Sequence, residues 1–394
     1  MLDIGFGKAT ITPPLGTPLG GYENRTMNTI GVHDDVYARC ILFRESSTDE
    51  HIALIFCDLL WLNYGFSDRV KEIVEEITYG KVKRNKVVLH ALHVHSSQRI
   101  EGGLEFYYKR IKKPHNFDKG WYVEHGVPYL QRAISSSVYG ALMDLKPANM
   151  NVYTGKTASG YNRRMNDPAV KVVDEDLLAM VCLHDATKSS GREKIRAIFY
   201  NLANHCVVLG EQNYYISQDW PYWTAQELRT KYNLDWKSEI IFGQGTAGNI
   251  NPFNCKFGEE VREMKEAEIL GHKIAQELQN ILESEKALTI ADPNKPTILG
   301  ITTNIIKIEI TDKEKAEFYR QMKLDFIGIE QSDEKIYLVV RMHLIQINNL
   351  IIIAVPGEPF GEFGVEMKKI VKQFNAEFIR SEERRVGKEC RSRW

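Results

Sequence analysis

The chain has 394 residues, 43% of them hydrophobic, enough to bury a large core in one domain or in two or three smaller ones. Lys+Arg at 51 balance Asp+Glu at 52, which excludes a long-range pull toward nucleic acid or an anionic membrane and favours a small or neutral substrate. No window approaches the ~18 consecutive apolar residues of a membrane span, and Met1 runs directly into Asp3-Ile4-Gly5-Phe6-Gly7 with no signal peptide, so the sequence reads as cytoplasmic, with its oligomeric state undetermined.

In chain order, strand-like runs rich in Val, Ile and aromatic residues fall at Val36–Phe43, His51–Trp61, Lys86–His93, Met150–Tyr153, Leu177–Leu183, Ile195–Leu202, Ile240–Gly243 and Thr297–Ile310. Two more, Lys335–Gln346 and Leu350–Val355, flank Asn348-Asn349, a tight-hairpin signal. Helical periodicity is clearest at Ser67–Tyr79, Val123–Met143, Tyr222–Tyr232, Glu259–Glu285 and Glu362–Phe374. Irregular alternation of strands and helices, with long antiparallel runs near the end, predicts a mixed α/β (α+β) fold with more than one sheet. Asp292-Pro293-Asn294-Lys295-Pro296 reads as a subdomain joint or as an ordinary exposed loop. Cys40, Cys57, Cys182, Cys206 and Cys255 are scattered without CxxC spacing, the pattern of reduced core thiols.

The last stretch, Arg380 to Trp394, reads RSEERRVGKECRSRW and has no apolar period. It matches the translation of a common sequencing adapter and breaks off a strand that opens near Ala376. It is read as a foreign tail, leaving residues 1–379 as a single domain incomplete at its C-terminus, mildly acidic in net charge.

Chemistry concentrates in a few segments. Leu92-His93-Val94-His95-Ser96-Ser97 follows a buried apolar run, and residues i and i+2 on a strand share a face, so both imidazoles point into one space. They suit Zn²⁺ together, or one ligates while the other moves protons, or one is a hydrogen-bonded core ring. His205 ends the run from Ala197, where α/β sites assemble, although a capped core histidine fits as well. Val355-Pro356-Gly357-Glu358-Pro359 puts a carboxylate on a Pro-Gly corner, either as a hard ligand beside imidazoles or as an N-terminal charge for the next helix. Gly160-Tyr161-Asn162-Arg163-Arg164 offers a guanidinium for a carbonyl or oxyanion, or a surface ion pair. Gly243 to Pro252 is glycine-rich but lacks a Gly-Lys-Ser/Thr ending, so it is a tight loop that brings backbone near the site.

In order along the chain, Gly7-Lys8-Ala9-Thr10-Ile11-Thr12-Pro13-Pro14, Gly20-Gly21-Tyr22, Gly31-Val32-His33-Asp34-Asp35, the HxHS element, Asn162-Arg163, the strand ending in His205, Ser217-Gln218-Asp219, the Gly-rich loop and Pro356-Gly357-Glu358 resemble the neutral/alkaline ceramidase family. The resemblance implies a zinc-dependent hydrolase cleaving an amide (N-acyl, ceramide-like) or related acyl bond, and two mixed sheets packed together with helices on the outside. By match, Zn²⁺ is held by His93, His205 and Glu358 and by a tyrosine that falls beyond residue 379. His95 matches the proton-transfer residue and Arg163 the active-site arginine. Gly21, His33, Asn162, Asp219 and Gly245 match positions around the substrate. The implied partner is a small-molecule or lipid-like N-acyl substrate, with no nucleic acid and no transmembrane segment.

The chain departs from the family at three points. A serine once proposed as a nucleophile is replaced by Gly245, which supports attack by activated water over a covalent acyl-enzyme. The usual Gly-Asp of the loop is Gly248-Asn249, and a usual Pro is Ser97. The length matches a short bacterial-type branch without the immunoglobulin-like C-terminal domain. Rival readings are an amidohydrolase-like barrel, whose HxH pair belongs to the first strand whereas several strands precede His93, and a catalytically degenerate binding protein on the same scaffold. A metallo-β-lactamase-like site needs HxHxDH, which Ser96-Ser97-Gln98 does not supply.

Overall fold

The computed structural model of the chain describes residues 1–22, 25–100, 122–164, 172–184, 194–255, 263–284, 286–320, 328–332, 335–373 and the backbone of 377–383. The expected helical positions 259–262, 285 and 374, the adjoining Ala376, and Cys390 with the rest of 384–394 lie outside these residues.

Nine strands form one sheet in two halves. In the first, β1 (Leu2–Thr10), β3 (Tyr37–Glu45) and β4 (Glu50–Cys57) run antiparallel, and β5 (Val87–Ala91) joins β4 in parallel. In the second, β6 (Lys146–Lys156), β8 (Asp176–His184) and β9 (Lys194–Leu202) run antiparallel, β11 (Glu239–Gln244) joins β9 in parallel, and β13 (Leu288–Ala291) flanks β6. Among the described residues the two halves pair as strands only at Asp3↔Pro147 and Ile4↔Lys146 on β1 and β6. This narrow seam lets them fold over each other as two mixed sheets. Ile52, Leu54 and Phe56 of β4 share one core with Met150, Met180, Phe199 and Ile241 of the second half. The alternate residues Ala53, Ile55 and Cys57 pack on Phe66 and Val70 of α1 (Tyr64–Ile77) and Ile134 and Val138 of α2 (Val127–Met143). Both faces of β4 are therefore buried, which is why it reads as an unbroken apolar run. Burying each such side chain contributes about 1.5–3 kcal/mol. Helices α3 (Trp220–Lys231) and α4 (Met264–Leu282) pack together over the second half.

A further sheet contains β14 (Leu299–Glu309), β16 (Lys335–Ile347), β17 (Leu350–Pro356) and β18 (Glu377–Glu383), with β15 (Ile329–Ser332) beside β16. Asn348, at φ 50°, makes the expected turn between β16 and β17. Ile345, Ile347, Leu350, Ile352 and Ala354 reach the shared core. The strand expected near Ala376 is β18, and its parallel pairing with β17 continues through Arg380–Glu383. Helices α5 (Lys313–Arg320) and α6 (Gly361–Lys372) accompany this sheet. The Asp292–Pro296 segment is the passage from β13 to β14, between the two sheets.

The architecture is the expected mixed α+β fold with several sheets. Several elements escape sequence patterning, among them β1, whose Gly5 and Gly7 dilute its apolar alternation, β13 and β15, each only 4 residues long, and α5, which is polar and only 8 residues long. Among the described residues no helix is long and apolar enough to cross a membrane. Cys40, Cys57, Cys182, Cys206 and Cys255 are buried and form no disulfide among the described residues, and burial pushes the Cys182 thiol up to about 12.

Candidate metal centre

Strands β5 and β11 end the nine-stranded order on opposite sides, yet the Gln244 N–H donates to His90 Nε2 at 2.9 Å, so the curled sheet brings its two margins together. His93 follows β5 and His205 follows β9, and they meet at this closure. The rings of His93 and His205 are 5.0 Å apart between centroids, and His93 and His95 are 4.5 Å apart. One ring nitrogen from each of the three buried histidines lies within 4.8 Å of the others, an arrangement that could hold a metal ion.

The pairing of His93 with His95 does not come from strand alternation as expected. β5 stops at Ala91, and His93 stands at φ 58°, the left-handed region that a side chain with a Cβ occupies at a cost. The chain is pinned on either side of that kink. Val94 N donates to Leu59 O at 3.3 Å, and Val94 bridges to Cys206, the residue after His205. The residues just after the kink, Val94 and His95, thus link the two histidine segments.

Backbone carbonyls fix the ring tautomers. His93 Nδ1 donates to Leu60 O at 3.0 Å and His205 Nδ1 donates to Ile250 O at 2.9 Å, so both Nε2 atoms present lone pairs. These face Glu358, with His93 Nε2 3.6 Å from Oε1 and His205 Nε2 3.5 Å from Oε2. Two bonds of ~2.0–2.1 Å at a tetrahedral angle separate ligand atoms by about 3.3 Å, so these separations suit one small cation. His95 Nε2 lies 2.9 Å from His93 Nε2 and supplies the proton of that contact, while its buried Nδ1 has no partner among the described residues. Burial first, then His205, holds the His95 imidazolium well below its ordinary range against the opposing pull of Glu358, so the ring is neutral at neutral pH.

The Gly-rich loop holds the site together. Ile250 O also accepts from His205 N at 3.2 Å, while Gly248 N donates to Pro359 O at 3.0 Å, so one loop touches both the histidine and the carboxylate corner. A Cβ on Gly245 would lie 2.9 Å from the backbone of Leu202 and Ala203, and one on Gly248 would lie 2.1 Å from Glu358 O. Asn249 accounts for the departure from Gly-Asp. Its Nδ2 donates to Glu362 Oε2 at 3.0 Å and its Oδ1 accepts from Gly361 N at 2.9 Å, whereas an aspartate would set two carboxylates face to face.

The remaining expected residues divide into two groups. Arg163 is half-buried at the cluster; its Nη2 donates to Gly248 O at 2.8 Å, and it helps lower His95. Gly21, at φ 95°, faces the His95 ring and leaves it room, since a Cβ there would lie 2.4 Å from Nδ1. Asn162, His33 and Asp219 brace backbone instead. Asn162 donates to Val172 O at 3.0 Å and accepts from Arg164 N, on β7 (Gly160–Asn162) against β12 (Ile250–Pro252). His33, after β2 (Gly31–Val32), pairs with Asp34 at 2.9 Å; Asp34 in turn accepts from Ser217 and Gln218, beyond β10 (Tyr215–Ile216), which pairs with β2.

Two neighbours of His95 are not among the expected site residues, although Tyr22 stands in the Gly20-Gly21-Tyr22 motif. Arg25, buried, donates to His95 O and Gly20 O at 2.6 Å each, and Tyr22 meets the His95 ring edge-on at 5.0 Å. An arginine in the polar run Glu23-Asn24-Arg25 reads as surface.

Asp219 caps α3 from φ 66°, accepting from Trp220 N at 2.7 Å and Leu209 N at 2.9 Å, and Trp220 Nε1 donates to His205 O at 3.0 Å. Burial raises its carboxyl to about 7 against these hydrogen bonds. The folded state therefore holds the proton more tightly than the unfolded chain. Its contribution is complete below the unfolded value of about 3.9 and is lost as pH rises toward 7. The expected result is a melting temperature that declines over this interval in the native protein more steeply than in Asp219→Asn. Parallel pH profiles from calorimetry would refute it.

The profile of the neutral/alkaline non-lysosomal ceramidase family, N-terminal, matches residues 2–253. Among solved structures, the fold is similar to neutral ceramidase from Pseudomonas aeruginosa, with TM-score 0.71 and 14% identity over 99% of this chain and 69% of that one. It is also similar to a ceramidase complexed with C2, with TM-score 0.70 and 15% identity over 97% and 68% of the two chains. A search of curated protein sequences gives no significant match.

Proposed function

The chain belongs to the neutral/alkaline non-lysosomal ceramidase family, a family of hydrolases, and from that premise we propose that it is a zinc-dependent hydrolase of an amide (N-acyl, ceramide-like) or related acyl bond. One observation carries the reading. Two imidazole lone pairs and a carboxylate converge with their protons committed elsewhere, an arrangement of acceptors that a cation relieves. His93, His205 and Glu358 are the proposed ligands within a catalytic unit of residues 1–379.

Zinc bound there supplies Lewis-acid polarisation of the scissile carbonyl and a water nucleophile at neutral pH. His95 is neutral and buried with Nε2 at the cluster; with the His93 lone pair given to a cation, the Nδ1–H form of the ring would offer its Nε2 lone pair to take a proton from water and return it to the leaving nitrogen or oxygen. Arg163 stabilises charge on the carbonyl oxygen or orients an acidic group of the substrate. Gly21 leaves the His95 Nδ1 edge uncrowded, and the backbone donated to by Arg25 keeps that ring from withdrawing.

The test is zinc content measured together with hydrolysis of a panel of N-acyl and O-acyl substrates. Stoichiometric zinc with turnover is expected, and His95→Ala should retain zinc while losing about 10²–10⁴ in kcat. Undiminished turnover of His95→Ala at saturating zinc would remove His95 from the reaction. A folded, metal-free, inactive protein would overturn the hydrolase reading.

A further inference from the structure

The three buried histidines lie beneath Glu358, whose side chain is 20% exposed, so the centre opens on the Glu358 side. Two guanidinium groups pack against the Gly248 loop and the Glu358–Phe360 segment. Arg163 Nη2 is tied to Gly248 O, on a residue whose Cα packs against the Glu358 carbonyl. Arg164, exposed, lies over the ring of Phe360, two residues past Glu358, with its Cζ 4.9 Å from the ring centroid. Neither has an ion-pair partner among the described residues. The nearby carboxylates are engaged elsewhere: Asp174 with Lys368 and Thr246, Glu362 with Asn249, and Glu358 with the histidines. The chain is close to neutral overall, so two arginines without an ion pair among the described residues, near the proposed metal centre, are a local bias.

A neutral substrate makes poor use of these groups. An exposed arginine is ordinarily free to sample many rotamers, but stacking on Phe360 holds the Arg164 fork in one place with its N–H edge available. That is the geometry that receives a carboxylate or phosphate in a paired contact. Phe360 follows the proposed ligand Glu358 by two residues, so the stacked fork lies on the segment that carries that ligand, and an anion held there would belong to a part of the substrate outside the scissile bond.

Resting on the hydrolase reading, we propose that Arg164, stacked on Phe360, forms an anion subsite, and that the substrate class is an acyl compound bearing a carboxylate or phosphate near the scissile bond. Arg164 selects this class over neutral acyl amides of the ceramide kind.

The test is equilibrium binding, by calorimetry, of N-lauroylglycine, N-lauroylethanolamine and N-lauroyl-phosphoethanolamine to the whole chain, with and without zinc, followed by kcat/KM for each. At least one anionic ligand should bind about tenfold more tightly than the neutral one. The preference should collapse toward unity in Arg164→Ala and return in part in Arg164→Lys. The glycine and phosphate arms tell which anion is recognised. Equal binding of all three ligands, or a preference unchanged by Arg164→Ala, overturns the subsite. An anionic preference lost in Arg164→Ala, in a protein that hydrolyses none of the three, leaves the subsite standing and sinks the hydrolase reading. Turnover without that preference does the reverse.

Discussion

Replacing Glu358 by glutamine is expected to abolish stoichiometric zinc binding and, with it, hydrolysis, while the chain stays folded. The amide keeps the size of the carboxylate and lies on a partly exposed corner, so no core packing is lost. What changes is the charge facing His93 Nε2 at 3.6 Å and His205 Nε2 at 3.5 Å. Loss of residues that only support metal ligands costs about 10–100-fold in affinity, and removing a charged ligand should exceed that. His93→Ala should give the same loss of metal by a different route, since alanine keeps the φ 58° backbone but removes the ring. Zinc quantification after dialysis, read beside circular dichroism and kcat, is the measurement. A Glu358→Gln protein that kept one zinc per chain would move the metal onto the three-histidine arrangement of His93, His95 and His205, and would require a different proton carrier.

Local pattern carried much of the fold and little of the closure. The run at β4 was readable because burial on both faces leaves no polar alternation, and Asn348-Asn349 was readable because asparagine tolerates positive φ. His93, His205 and Glu358 were singled out as polar groups stranded at the ends of apolar runs. That they meet depends on a sheet folded about a two-residue seam, with His90 of one margin accepting from Gln244 of the other. No short-range signal encodes that contact. The same holds for Arg25, whose role lies in carbonyls 70 and 185 residues away along the chain, at His95 and Gly210. The HxH spacing pointed to the right pair of rings for an incomplete reason, because a kinked backbone, not a pleat, turns them together.

The Gly-rich loop is where a single methyl should do most damage outside the proposed ligands. In Gly248→Ala the new Cβ would stand 2.1 Å from Glu358 O, 2.8 Å from Glu358 C and 2.9 Å from Pro359 O, all backbone atoms that no rotamer can move aside. Either the corner or the loop must shift. The loop is held by Ala247 N to Gly245 O and Ile250 N to Ala247 O, and Ile250 O in turn holds His205 through both N and Nδ1. The corner is more exposed than the buried loop, so Glu358 is the part that moves away from the histidines. Overpacking of this kind costs about 1–3 kcal/mol, and displacement of a ligand-bearing corner should lower zinc affinity by at least the ~10–100-fold seen when supporting residues are lost. Gly300→Ala is the matched control, since nothing lies within 4 Å of a Cβ there. Chelator competition and thermal melts on both variants decide the matter: unchanged zinc affinity in Gly248→Ala would mean that the loop does not set the distance between His205 and Glu358.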